Sequence, residues 1–237
     1  MKKPVLAFAS IALAILFSAC SPALVISPLP GQTAEARFSL RTGQTAESVI
    51  KRLLPAASQS NQSIFDPEAL AAHLEKQGVR VRSVNPARTA DLDMILDIPR
   101  SAAILNRALV HTAETGTITV TLSRAIIGDA IALLPPESAD YLELLMAPVF
   151  TGEQLTAQDY RDTVGAMYGK NLARELDESF FYLVIESPGP ISAARITEPG
   201  TVTSENRRAR FAVPLVALLV MEKDVTATVT YTATAAK

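Results

Sequence analysis

The chain has 237 residues with 22 basic and 24 acidic side chains, and its formal net charge of −2 excludes a nucleic-acid binder driven by bulk positive charge. Hydrophobic residues make up 49% but aromatic ones only 5%, with no Trp. The core must therefore be largely Leu, Ile, Val and Ala, and recognition of sugars or bases by stacking has few aromatic faces to use.

Met1-Lys2-Lys3 gives a basic start, residues 4–17 are almost wholly apolar, and small residues follow at Ser18 and Ala19. That is the layout of a secretory signal. As a helix the apolar run would be about 21 Å long at roughly 1.5 Å per residue, short of the roughly 30 Å hydrocarbon core of a bilayer. Cys20, the sole cysteine, stands directly after the small residues, so no disulfide framework is possible within the chain.

The segment Phe17-Ser18-Ala19-Cys20 resembles the lipobox of bacterial lipoproteins, with Phe17 where that class most often has Leu, Val or Ile. The resemblance covers Met1 to Cys20 only. It implies cleavage between Ala19 and Cys20 by signal peptidase II, diacylglycerol on the Cys20 sulfur, and often a further acyl chain such as palmitate on the new amine. The partner it implies is a membrane outside the cytoplasm, since two or three acyl chains at about 0.8 kcal/mol per buried CH₂ hold a protein firmly on a bilayer. Ser21 after the cysteine is compatible in that class with transit to the outer membrane. An ordinary signal peptide with an incidental cysteine is the alternative.

Residues 1–19 thus read as signal peptide, 20–35 as lipidated N-terminus and tether, and 36–237 as the folded domain, with a possible division into two subdomains near 99–101. Pro22, Pro28 and Pro30 suggest the tether, although Leu24, Val25 and Ile26 allow a short strand. Period-two alternation at 37–41 predicts a strand, and Val49, Ile50, Leu53 and Leu54 share one side of a helix over 45–54 that Pro55 stops. Residues 56–63 are a polar loop. Asp66 as cap, Pro67 at the first helical position and Gly78 at the end predict a helix between them. Strands follow over 79–84 and 92–98 with a turn at Asn85-Pro86, then a hairpin of 108–112 and 117–122 around Glu114-Thr115-Gly116, or a helix start at 101–110. Strand and helix are both open for 126–134.

A helix is expected over 138–146, and Thr156 with Asp159 forms a capping-box pattern that opens another over 157–168. Gly169 interrupts it before 171–176 resumes the helical pattern. Short strands are expected at 180–186, 191–196, 207–213 and 225–232, with a strand-to-helix junction at Pro214. Tight turns favour antiparallel pairing, so the expected fold class is α+β: a mainly antiparallel sheet of short strands with helices on one face.

Candidate chemistry is sparse. His73 and His111 have no second ligand at metal spacing, and they read as incidental histidines. Asp91, Asp93 and Asp97 share one side of a strand and offer carboxylates to Ca²⁺ or a basic partner, or simply a solvated face. Arg207, Arg208 and Arg210 form the densest basic cluster, with Arg208 and Arg210 pointing the same way; they suit lipid phosphates or a partner, or protect a strand edge by charge. Residues 211–221, 126–134 and 142–150 are strongly aliphatic, as for a core or an apolar ligand pocket. No nucleophile elbow or phosphate loop is present, and no cofactor or metal is expected. Scattered carboxylates, among them Asp159, Asp162, Glu175, Asp177 and Glu178, single out no catalytic pair. The sequence favours a non-enzymatic interaction or envelope-maintenance module with an envelope protein or lipid partner, and, as the alternative, a carrier of lipid or another apolar ligand.

Overall fold

The computed structural model describes residues 21–29, 33–53, 63, 65–86, 90–99, 101–102, 107–132 and 155–232. The expected helix at 138–146 and the aliphatic stretch 142–150 lie outside the described residues. In chain order the elements begin with β1 (Ala23–Leu29), β2 (Thr33–Leu40), α1 (Gln44–Leu53), α2 (Pro67–Lys76), β3 (Arg80–Pro86), β4 (Leu92–Ile98), β5 (Leu109–Thr112) and β6 (Thr117–Leu122). After them come α3 (Arg124–Ala132), α4 (Ala157–Tyr168), α5 (Lys170–Asp177), β7 (Phe180–Glu186), β8 (Ile191–Ile196), β9 (Thr201–Glu205), β10 (Arg208–Pro214), α6 (Leu215–Val220) and β11 (Val225–Tyr231).

The fold is α+β with mostly antiparallel pairing. The strands form two sheets where the sequence suggested one: seven strands in the order β3-β4-β2-β1-β7-β10-β9, and four in the order β5-β6-β11-β8. β1 and β7 are parallel, and every other pairing is antiparallel. The larger sheet draws strands from both sides of residues 99–101.

The stretch expected as a tether is a correction. Residues 23–29 form an inner strand, hydrogen-bonded to β2 along its whole length and to β7 over Ala23–Ile26. Leu24 and Ile26 turn their side chains to the core, while the prolines avoid the ladder. The Pro22 carbonyl already faces β7, accepting from Tyr182 N at 2.9 Å. By the alternation of strand backbone the Pro28 nitrogen faces the same way, but past the end of the β7 pairing, where a missing N–H costs no ladder bond. Asn85-Pro86, expected as a turn, likewise ends β3, with Pro86 opposite Leu92. β9 had no apolar alternation to announce it; only Val202 turns to the core side, opposite Phe211.

Local signals set the helix ends. The Asp66 carboxylate accepts from the amides of Glu68 and Ala69, Pro67 follows, and Gly78 takes φ +81. Thr156 and Asp159 make a reciprocal capping box, and the Thr156 hydroxyl and amide hold the Asp159 carboxyl below its ordinary range. Residues 126–132, left open between strand and helix, belong to α3.

Two apolar clusters lie on one face of the larger sheet. Leu70 and Leu74 of α2 pack with Phe65, Ala36, Leu92, Met94 and Leu96. The main cluster joins Ile26, Leu183, Ile185, Phe211 and Val213 to the inner side of the smaller sheet and to helices α3 to α6. Leu24 and Ile98 pack against both clusters. The aliphatic run after Arg210 supplies this core: β10 contributes Phe211 and Val213, Pro214 bends the chain, and α6 buries Val216, Leu218, Leu219 and Val220.

Candidate functional site

Among the described residues, a half-open cleft of about 270 Å³ lies between α1 and the α4–α5 junction. Its position follows from a tertiary helix cap. The Glu175 carboxylate on α5 accepts from the amides of Thr45 and Ala46 at 3.1 and 3.0 Å, so it satisfies two of the open N–H groups at the α1 start and sets a negative charge at the positive end of that helix. Gly43 makes room, because a Cβ there would collide with the Glu175 carboxylate. Arg52 of α1 and Lys170 of α5 both line the cleft, together with Ser48, Tyr168 and Asn171. The Ser48 hydroxyl is engaged with the Gln44 carbonyl at 2.7 Å. The arrangement offers two cations and polar walls to an anion, without a nucleophile paired to a base.

The other face of the larger sheet is charged. Arg82 donates to Asp97 at 2.8 Å and to Glu35 at 2.6 Å, and these bonds hold its guanidinium above its ordinary pKa. Arg41 donates to both Asp93 oxygens, with the same result. The three aspartates expected on one side therefore separate. Asp93 and Asp97 are ion-paired on this face, while Asp91, 1% exposed, precedes β4 and accepts from the Thr42 amide at 2.8 Å and hydroxyl at 3.0 Å. Asp91 fixes the β2–α1 turn. No group of three metal-ligating side chains is present among the described residues.

The basic cluster is split by the β9–β10 turn. Arg207 lies in the turn, where its carbonyl accepts from Ser187. Arg208 and Arg210 share the charged face as expected: Arg208 stands opposite Glu186 and Glu205, and the Arg210 guanidinium sits 3.9 Å over the Tyr182 ring. Beside it Ser27 donates to Glu186 at 2.7 Å.

Neither histidine lines the cleft. His111 on β5 is 2.8 Å from the Tyr231 hydroxyl, and burial lowers the imidazole pKa and raises that of the phenol, so that it favours the neutral form of each. His73 on α2 presents a buried Nε2 without a hydrogen-bond partner among the described residues. Neither belongs to a group of three metal-ligating side chains among the described residues.

Ala19 and Cys20 lie outside the described residues. Ser21, the next residue, is tied into the fold by its amide, which donates to the Arg41 carbonyl at 2.9 Å. No helix of the described residues is long and apolar enough to cross a membrane. The Glu175 cap and the cleft it organises escaped the sequence reading, because Glu175 and Thr45 are 130 residues apart and nothing local links them.

No family model matches the chain, and no curated protein matches it. Among solved structures, the NMR structure of the folded domain of the LppM protein of Mycobacterium tuberculosis is similar at a TM-score of 0.39 and 8% sequence identity, over 90% of this chain and 91% of that chain.

Proposed function

We propose that this protein is a bacterial envelope lipoprotein, anchored through lipid on Cys20, that works as a non-enzymatic interaction module. The observation that carries the anchor is the run from Met1-Lys2-Lys3 through the short apolar segment to Phe17-Ser18-Ala19-Cys20. A core closed by α6 and both sheets suits a domain folded outside the bilayer and held to it covalently.

The interaction role rests on where the charged groups stand. Asp91 and Glu175 cap turns and helices, and Asp93 and Asp97 are paired with arginines. These carboxylates are occupied with holding the fold, whereas Arg208, Arg210 and the Arg52–Lys170 cleft present cations at the surface to a partner. The carrier alternative draws no support from the aliphatic segments that are described, since Val216, Val220 and Ile131 are packed in the core.

Membrane fractionation tests the anchor. The wild-type protein is expected in the membrane fraction and released by detergent but not by salt, while Cys20→Ser is expected to keep its signal sequence uncut or to lose lipid. A Cys20→Ser chain that is processed at the same site and stays equally membrane-bound overturns the proposal.

A further inference from the structure

We infer that the end of the seven-stranded sheet where β1 begins is held directly against the bilayer, with the strands leading away from it. This rests on the lipid-anchor reading of Cys20 and deepens it by fixing which surface meets the lipid. The decisive feature is the lack of slack. Adjacent Cα atoms are about 3.8 Å apart, and the residue after Cys20 is already fixed, its amide bonded to the Arg41 carbonyl. The next, Pro22, is fixed through its carbonyl to Tyr182 N, and β1 starts at Ala23 between two partners. A lipid on Cys20 therefore has no free tether.

The register names the apposed surface. Ala23 lies level with Ser39 and Tyr182, so the ends of β2 and the start of β7 are beside the anchor, together with the Arg41–Gly43 turn, the first residue of α1 and the last turn of α5. Arg41 is paired with Asp93 there, so the position is set by the covalent lipid and not by attraction of a basic patch to lipid phosphates. The opposite end carries Pro188, Glu205, Arg207 and Arg208. Arg208 pairs opposite Glu186, four residues beyond Tyr182, roughly 13 Å further along at about 3.3 Å per residue. Arg207 and Arg208 are thus turned away from the anchoring bilayer, toward a partner in the aqueous compartment.

Site-directed fluorescence quenching tests this on the lipidated full chain. Cys20 is the sole cysteine and its sulfur is consumed by the lipid, so one engineered cysteine gives one labelled position. Gln44→Cys and Glu178→Cys report the apposed end, and Pro188→Cys and Glu205→Cys the distal end; all four positions are exposed. The protein is reconstituted into phosphatidylcholine–phosphatidylglycerol vesicles containing a nitroxide on the phosphatidylcholine headgroup. The length of β1, roughly 20 Å by strand rise, predicts quenching at least about threefold stronger at the apposed pair. A flexible Gly-Ser segment of ten residues inserted between Cys20 and Ser21 is expected to abolish the difference while flotation with vesicles persists. Equal or reversed quenching in protein that floats overturns the inference, and so does a difference that survives the insertion. Failure of the lipidated chain to float overturns the anchor reading itself, and the inference with it.

Discussion

Replacing Phe211 by Ala is expected to cost about 3–5 kcal/mol of stability. Phe211 is fully buried at the middle of β10, opposite Leu183 of β7 on one side and Val202 of β9 on the other. Its ring touches the main cluster that joins the larger sheet to α6 and the smaller sheet, and neighbours belonging to two paired strands cannot collapse into the void. Against a total of roughly 5–15 kcal/mol for an ordinary domain, such a loss leaves little or no margin. Urea unfolding of the domain, followed by circular dichroism, measures it. Phe211→Leu keeps most of the volume and is expected to retain the greater part of the stability; a Phe211→Ala midpoint unchanged from wild type would show that β10 is not the spine of the core.

Removing the Glu175 carboxylate is the second large effect. Glu175→Ala leaves the Thr45 and Ala46 amides without their acceptor and takes a negative charge from the start of α1, for an expected loss of about 1–2 kcal/mol. Glu175→Gln keeps one acceptor oxygen but not the charge, and is expected to recover part of that loss. Gly43→Ala should damage the same contact from the other side, because the added methyl displaces the carboxylate. The double variant Gly43→Ala/Glu175→Ala is then expected to lose less than the sum of the singles, since both act on one interaction. Strict additivity in a double-mutant cycle by urea unfolding would contradict the shared cap.

Residues that act on near neighbours were legible in the sequence. Asp66-Pro67 and the Thr156–Asp159 pair announce helix starts because each cap contacts amides within three residues. Alternation announced the second half of β2 and the whole of β4, where one face is buried and a slip by one residue would turn the apolar set outward, and β7 was legible as an apolar run. The α+β class followed from the same signals.

What remained hidden depends on distance in the chain. β1 carried three prolines in and around it and an apolar pair, Leu24 and Ile26, whose value appears only when β2 and β7 close on both sides. The four-stranded sheet gathers strands from residues 109 to 231, and no local pattern states which sheet a strand will join. Arg124 illustrates the same limit: its guanidinium donates to the carbonyls of Val220 and Met221 at 3.0 Å and closes the end of α6, where Met221 adopts a left-handed conformation. At the candidate site, the basic character of Arg208 and Arg210 was visible in sequence, but the turn that separates Arg207 from them and the ring beneath Arg210 were not.

The proposed anchor makes Cys20 the lipid-bearing first residue of the mature protein, with the folded domain beginning beside it. Mass spectrometry of the N-terminal peptide from protein extracted with detergent from membranes of a bacterial host tests it most directly. The expected product is a chain that starts at Cys20 with diacylglycerol in thioether linkage to its sulfur. A mature chain that starts elsewhere, or one that carries an unmodified Cys20 thiol, would contradict it.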